Sequence, residues 1–248
     1  MVLGGPARRC EMGLPKVLVH VAVSADGRTG GFDVDLELYY GLAQRWKEDA
    51  TLTGADTLLA AEGLPRDDPR GPGHRHADDP RDKRPLLAVT DSRGRVRCWD
   101  ALHHTDYWRA PLALVTRSTP RKALEHLRRQ RVRTLVVGAD RVDLRQTLTR
   151  LADRFGVRRL RVDSGGALAG ALLRAGLVHE VSLLVHPVLV GGAAPASFFR
   201  EAVPEHGAPP LGARLLAARR ITGGLLWLRY AVASGRKPAP RAHGPSPR

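Results

Sequence analysis

Two polar turns in this sequence hold the groups from which a reaction centre can be built. Asp163-Ser164-Gly165-Gly166 follows the short run Leu160-Arg161-Val162 and precedes Leu168, Ala171, Leu172 and Ala175, a helical stripe at i, i+3, i+4 and i+7. A turn with no bulky side chain at its tip, running into a helix, aims backbone N–H groups and the positive helix end at one point. That arrangement suits a phosphate. The same glycine pair also serves as a plain tight connection between strand and helix. The dinucleotide fingerprint calls for glycine at i, i+2 and i+5. Gly165 and Gly170 fit it, and Ala167 holds the middle place. The second turn, Ser24-Ala25-Asp26-Gly27-Arg28, directly follows the near-continuous apolar residues 17–23. Open α/β sheets hold ligands outside the carboxyl ends of their parallel strands, and this loop falls there. Its plainer reading is an Asp-Gly turn. A third polar stretch, 62–85, contains Asp-Asp-Pro-Arg twice, at 67–70 and 78–81, with His74 and His76 between. Its Pro, Gly and Arg content makes it a solvated loop, and no metal site is expected.

Alternating elements must hold these turns in place. Strands are predicted over residues 17–23, 50–53, 86–90, 112–116, 134–137, 160–162 and 181–185. One helix presents Leu36, Tyr39, Tyr40, Ala43 and Trp46 on a face. Another is capped by Thr119 with Pro120 at its first position. A third is capped by Asp143, turns Leu144, Leu148, Leu151 and Phe155 to one side, and closes at Gly156. Gly176 ends the helix that follows the glycine turn. Residues 95–111 read as irregular. Residues 213–220 and 225–233 flank Thr222-Gly223-Gly224 as an antiparallel hairpin. Strand, glycine turn, helix and strand make a parallel βαβ unit. The expected fold is α/β: a mostly parallel central sheet with helices on both faces and a C-terminal antiparallel hairpin. Residues 1–14 read as a flexible lead-in and 15–233 as a single domain. Residues 234–248, basic and Pro-rich, read as a disordered tail that folding and turnover do not need.

Composition narrows the function classes. A chain of 248 residues buries a large core without staples. Its two cysteines, Cys10 and Cys98, form neither a metal pattern nor a disulfide framework, which fits a reducing cytoplasm. No apolar stretch is long enough to span a bilayer, and the N-terminus lacks a signal-peptide pattern. The net charge of +15 raises nucleic acid as a partner. All but five of the 40 basic residues are arginine, however, which together with the many alanines and glycines looks like a coding bias. Aromatic platforms for stacking bases are scarce, so neither nucleic acid nor membrane is an expected partner.

Four motifs occur in one order: Ser24-x-Asp26-Gly27; Asp49-Ala50 leading into Gly54-x-x-Thr57; Val89-x-Asp91-Ser92-Arg93; and Asp163-Ser164-Gly165-Gly166-Ala167-Leu168. The last continues into Gly176-Leu177-Val178-x-Glu180 and Pro187-x-x-x-Gly191-Gly192. With these the chain resembles the pyrimidine reductases of riboflavin biosynthesis, whose fold is dihydrofolate-reductase-like, over about residues 15–233. The resemblance implies an NADPH-dependent oxidoreductase. It would reduce a ribosylamino-pyrimidine 5′-phosphate to the ribitylamino form by hydride transfer to C1′ of the opened ribose. It also implies a homodimer. On the family's pattern Gly54, Thr57, Asp91, Ser92, Arg93, Gly94, Gly138, Ser164, Gly165, Gly166, Ala167 and Leu168 contact NADPH, and a cation such as Arg93 can pair with the 2′-phosphate. Ser24, Asp26, Gly27 and Arg28 face the phosphorylated pyrimidine, with Asp26 the candidate catalytic residue. Arg28 stands where the family usually has lysine.

Departures from the pattern set further expectations. The usual acidic residue and glycine of the fourth motif appear as Asp163 and Ser164, a variant of the archaeal-like branch. His179 replaces an aspartate before Glu180. The family's Asp-Asp-Pro shortly after the threonine is missing at that distance: either an insertion has displaced it or Glu62 takes its place. The fused zinc deaminase of bacterial relatives needs Cys-x-x-Cys, which this sequence lacks, so a stand-alone reductase is expected. Two other readings stay open: a same-fold reductase of a dihydropterin, folate or specialised metabolite, and a binding protein that has kept the fold without catalysis. If the dinucleotide lies on the glycine turn, and if that turn needs positive φ, Gly166→Val should abolish cofactor binding in a folded protein.

Overall fold

The computed structural model describes residues 13–61, 63–72, 82–192, 197–200 and 210–232. In chain order the elements are β1 (Lys16–Ser24), α1 (Leu36–Ala43), β2 (Ala50–Gly54), α2 (Ala55–Ala60), β3 (Leu86–Thr90) and α3 (Trp99–His103). There follow β4 (Ala110–Val115), α4 (Arg121–Arg129), β5 (Arg133–Val136), α5 (Leu144–Phe155) and β6 (Arg159–Val162). The chain then forms α6 (Gly166–Arg174), β7 (Glu180–His186), β8 (Ala213–Arg220) and β9 (Leu226–Val232). The chain packs as two compact units, one of residues 1–16 and 43–163, the other of residues 17–42 and 164–248. Residues 1–12 of the expected lead-in, residues 62 and 73–81 of the polar loop, and the C-terminal tail fall outside the described residues.

Within the first unit the strand order is β5-β4-β3-β2-β6, every pair parallel. Parallel pairing in register brings Gly54 beside Thr90, Thr90 beside Leu114, and Val115 beside Val136. The chain therefore leaves β2, β3, β4 and β5 along one edge of this sheet. Leu86, Leu87, Ala88 and Val89 are all buried, as a strand covered on both faces must be. Trp99, Leu102, Val96, Cys98 and Trp108 pack with Leu87, Val89 and Leu127 in one core cluster. These residues lie in the stretch expected to be irregular. α3 is only five residues long and has no side-chain cap, so two buried positions, Trp99 and Leu102, are all the pattern it offers.

The second unit pairs β1 with β7 in parallel, then β7 with β9 and β9 with β8 antiparallel. The expected closing hairpin is present, with Gly223 and Gly224 at positive φ in its turn. A mostly parallel sheet with an antiparallel end is the architecture read from the sequence. The helix after the glycine turn ends as predicted. Gly176 has φ +64, its N–H reaches Leu173 O, and Leu177 N–H reaches Leu172 O, a Schellman closure. The buried face of α6 differs from the expected stripe: it is Gly166, Ala169, Gly170, Leu172 and Leu173, while Ala171 and Ala175 are exposed. The glycines explain the shift, because main chain packs where side chains would otherwise point.

His20, in the middle of apolar β1, is fully buried and held by a polar chain. Trp227 Nε1–H donates to Ser182 Oγ at 2.8 Å, and Ser182 Oγ meets His20 Nδ1 at 2.9 Å. Indole nitrogen only donates, so the serine hydroxyl accepts from it and directs its own proton to Nδ1. His20 then carries its proton on Nε2 and donates to Tyr39 O at 3.1 Å. Tyr39 stacks on the imidazole and returns its hydroxyl to His20 O. Ser182→Ala strands two buried nitrogens at once. It should cost about 2–6 kcal/mol, at about 1–3 kcal/mol per unsatisfied group, read as a lowered denaturation midpoint with unchanged m. A change below about 0.5 kcal/mol would mean that the chain does not hold β1 as described.

Candidate active site

In the second unit, the turn after β1 is a clasp built on Asp26. Ser24 is buried, and its Oγ–H donates to Asp26 Oδ1 at 2.5 Å while accepting from Arg28 N at 2.9 Å. The other end of the clasp is the loop after β7: Val190 N and Gly191 N donate to the two Asp26 oxygens at 3.1 and 2.9 Å. The Ser24 hydroxyl, with the Gly191 and Val190 amides, holds the Asp26 carboxyl far below the usual carboxylate range. Asp26 is thus an ionised acceptor at neutral pH. Arg28 Nε lies 3.7 Å from Asp26 Oδ2, and its terminal nitrogen donates to Gly192 O at 3.3 Å. His186, paired in register with Ser24, is buried against Phe32, and burial pushes its pKa down.

The glycine turn sits in the same unit and divides into two different glycines. Gly165 is exposed, with φ −63 and open space around the position of a Cβ. Gly166 is buried, and a Cβ there would lie 1.9 Å from Ser197 O. Gly170 is similar, its would-be Cβ 2.3 Å from Arg200 O. Arg200 N donates back to Gly166 O at 3.1 Å, and Ser197 forms an antiparallel bridge with Arg28. The 197–200 segment therefore ties the Asp26 turn to the start of α6. Neither Gly165 nor Gly166 has positive φ, which corrects that expectation. Ala167 is exposed and Leu168 half-buried on the first turn of α6.

In the first unit, the expected cofactor residues line the carboxyl edge of the sheet. Gly54 is the N-cap residue of α2, and Thr57 lies within that helix. Asp91 is buried and spends both oxygens on its own loop, accepting from Arg95 N at 2.8 Å and Val96 N at 2.9 Å. Its carboxylate shapes the turn and is not left over for a ligand. Gly94 and Gly138 have φ +61 and +86. Their would-be Cβ atoms fall 2.1 Å from Ala123 Cβ and 2.1 Å from Arg141 O. Thr119 does not cap α4 as expected: Pro120 takes the N-cap position. The Thr119 hydroxyl instead donates to Ser92 O at 2.8 Å and accepts from Thr116 N at 2.9 Å, fastening the loop after β4 to the loop after β3. At the end of β6, buried Arg161 donates to Glu48, Thr51 and Asp163, so the Asp163 carboxylate is ion-paired at 2.9 Å.

The edge loops hold exposed arginines and glycines that admit close backbone approach, a donor set that fits a phosphate-bearing dinucleotide. Sequence reasoning missed the backbone donors Val190 and Gly191, the brace at Ser197 and the fastener Thr119. The Pro187 to Gly192 motif was the available signal for the first pair.

A family model for the RibD C-terminal domain matches residues 15–226, which takes in all of these loops. The chain belongs to the RibD C-terminal domain family. The 2,5-diamino-6-ribosylamino-4(3H)-pyrimidinone 5′-phosphate reductase of Methanothermobacter thermautotrophicus is 33% identical over 187 residues, spanning 72% of this chain and 80% of the relative. The protein of the same name from Archaeoglobus fulgidus is 30% identical over 193 residues, 72% of this chain and 83% of the relative. Among solved structures, Acinetobacter baumannii RibD superposes with a TM-score of 0.65 at 22% identity, over 88% of this chain. This chain spans 58% of that one. The riboflavin biosynthesis reductase of Saccharomyces cerevisiae gives 0.62 at 17% identity, with 89% and 90% covered. These last two establish the dihydrofolate-reductase-like fold.

Within this RibD-type domain the first Asp-Asp-Pro, residues 67–69, has a structural task. Asp67 accepts from Asp100 N at 2.9 Å and from His126 Nε2 at 2.8 Å, and Gln130 holds Asp68 O at 2.6 Å. Asp67 has no exposed side-chain surface, so this pair anchors the loop to α3 and α4. Glu62 lies outside the described residues.

Two predictions follow from the clasp and the glycines. The Asp26 contribution to stability should be complete above the ordinary carboxylate range, near pH 3.9, and disappear only as acid reaches its lower folded value. An NMR titration of Asp26 giving an ordinary pKa would rule out the clasp. Gly166→Val should destabilise by about 1–3 kcal/mol and free the 197–200 segment, because its side chain meets main chain. Gly165→Val should melt like the wild type. Any loss of dinucleotide affinity in Gly165→Val then reports ligand contact alone, and near-native affinity there would remove the turn from the cofactor site.

Proposed function

We propose that this chain is the NADPH-dependent reductase of a ribosylamino-pyrimidine 5′-phosphate in riboflavin biosynthesis, yielding the ribitylamino compound. The observation that carries this reading is the family match over residues 15–226, which includes both polar turns and the strand-edge loops. The two relatives above are named for the diamino pyrimidinone, and we take that as the substrate.

NADPH, when bound, supplies the hydride that reduces the C1′ imine carbon of the opened ribose. The residues of this chain bind and orient. Asp26 stays ionised, so it accepts a hydrogen bond from a sugar hydroxyl and acts as a positioning group, while the proton that completes the amine comes from another donor. Ser24 and the Val190 and Gly191 amides keep Asp26 in that state. Arg28, beside Asp26, offers a cation to the substrate 5′-phosphate. Gly165 leaves room for the dinucleotide backbone at the start of α6, and in the first unit Gly94 and Gly138 let their own loops pack tightly. The orientation of cofactor and sugar, held in line, is the protein's main contribution to the rate.

Assembly as a homodimer fits the exposed edge of the second unit. β8 is an edge strand, and Leu215, Leu216 and Leu226 expose apolar surface there. Among the described residues no helix is long and apolar enough to cross a membrane, and a cytoplasmic enzyme is the reading we adopt.

Steady-state NADPH oxidation with the diamino and the deaminated pyrimidine phosphates, each with and without its phosphate, tests the assignment. The diamino phosphate should give the higher kcat/KM. Removing the phosphate should lower it at least about tenfold, about 1.4 kcal/mol of transition-state binding. Turnover of a dihydropterin alone would transfer the chain to another substrate class, and tight binding without turnover would make it a binding protein.

A further inference from the structure

Two histidines stand on one face of the second unit's sheet, and the fold treats them differently. β1 and β7 run parallel in register, so His20 lies beside Ser182, and four residues further along both strands Ser24 lies beside His186. Side chains alternate across a strand, so all four point to the same face. His20 is saturated: Nδ1 meets Ser182 Oγ and Nε2 donates to Tyr39 O. His186 has 8% of its surface exposed, and its Nε2 is buried with no hydrogen-bond partner among the described residues. A buried polar nitrogen without a partner costs free energy, and native folds keep few of them. Its place in the unit gives it a use. It forms the last rung of the β1–β7 pair, beside the serine whose hydroxyl closes on Asp26. The loop that His186 opens supplies the Val190 and Gly191 amides to the same carboxylate. The Phe32 ring packs against the imidazole with centroids 4.9 Å apart. Burial lowers the pKa of the ring against the pull of the Asp35 carboxylate, so it is uncharged at neutral pH.

We propose that His186 is a substrate-contacting residue, whose imidazole takes up an uncharged hydroxyl of the opened ribose at the Asp26 clasp. The proposal rests on the reductase reading above and deepens it. An ionised carboxylate only accepts hydrogen bonds, whereas a neutral imidazole has one donor and one acceptor, as a hydroxyl does. Asp26 and His186 together can therefore hold neighbouring hydroxyls of one sugar chain in different senses. A phosphate calls for a cation instead, which the neutral ring does not offer and Arg28 does. No hydrogen bond to a described residue fixes the plane of the ring, so it can turn to meet a ligand.

The experiment follows the histidine ring signals of the full chain by NMR during titration with ribitol 5-phosphate and, separately, with inorganic phosphate. The His186 signal is assigned by its loss in His186→Gln. Ribitol 5-phosphate should shift His186 and leave His20 in place, and inorganic phosphate should move neither. Steady-state kinetics with the diamino pyrimidine phosphate then compare two variants. His186→Phe should lower kcat/KM about three- to tenfold, mostly through KM, as expected for one lost hydrogen bond to an uncharged group. Its melting temperature should not fall, because carbon replaces an orphan nitrogen. His186→Gln, whose amide offers both a donor and an acceptor, should stay within about threefold of the wild type. Wild-type kcat/KM in His186→Phe overturns the contact and makes the nitrogen a packing defect. Equal loss in both variants also overturns it, since hydrogen bonding then does not matter. A His186 shift with inorganic phosphate would give the ring to a phosphate and likewise overturn the proposal. Turnover by a wild type whose His186 signal ignores ribitol 5-phosphate defeats the contact alone. A wild type that turns over no pyrimidine phosphate defeats the reductase reading and the contact with it.

Discussion

Parallel pairing in register is the constraint on which the rest depends. A parallel strand cannot return through a tight turn, so each crossover runs over a face of the sheet and starts from the same edge. Residues far apart in sequence, from Gly54 to Gly138 in one unit and at Ser24 and His186 in the other, are delivered to strand ends without any local signal linking them. The loops at those ends face a common problem: their amides and carbonyls leave the sheet ladder and need new partners. Side chains supply them. Asp91, Asp26 and Thr119 each close a loop, and each does so with atoms that sequence reading offers first to a ligand.

Close main-chain approach is the second theme, and it sorts the glycines by cause. Gly94 and Gly138 combine positive φ with a neighbour that a Cβ would strike. Gly166 and Gly170 have ordinary φ, and only contact excludes a side chain: the carbonyls of Ser197 and Arg200 lie against the helix. Gly165, one residue from Gly166, has neither restriction. A pair that looks uniform in sequence thus divides into a packing glycine and an open one, and only the open one can report on a ligand without disturbing the fold.

The legibility of the sequence follows the same physical division. Strands β1, β3 and β7 are buried along nearly all their length, so their apolar runs mark them plainly. The cap at Asp143 and the closures at Gly156 and Gly176 depend on local chemistry, and they stand where the sequence places them. α3 was invisible because a single turn gives no period, and its tryptophan is held by tertiary packing alone. Thr119 was misassigned because a hydroxyl before a helix has the pattern of a cap whether or not the helix uses it. Its real partner, Ser92 O, lies 27 residues earlier. The α6 stripe was misplaced for a related reason: glycine counts as no side chain in a periodicity, yet Gly166 and Gly170 form the most closely packed surface of that helix. The motif resemblance located both polar turns, but it carried no information on which carboxylates the loops had already consumed.

That consumption shapes the electrostatics of the first unit's edge. A chain with 40 basic and 25 acidic residues has acids in short supply. Here several are committed to backbone or to buried partners: Asp49 accepts from Arg158 N and Arg159 N, Asp67 from Asp100 N and His126, and Asp91 from its own turn. Each such carboxylate gains charge-assisted hydrogen bonds and keeps its negative charge, but its oxygens are turned away from direct pairing with a surface cation. Arginine is drawn inward where an acceptor waits for it, as with Arg161 against Glu48 and Asp163, since a guanidinium has only donors to offer. Arg93, Arg117 and Arg141 stay exposed on the edge loops while the acids fasten turns. The positive edge is therefore a consequence of how the loops are held, and an anionic ligand meets it as a field already assembled before binding.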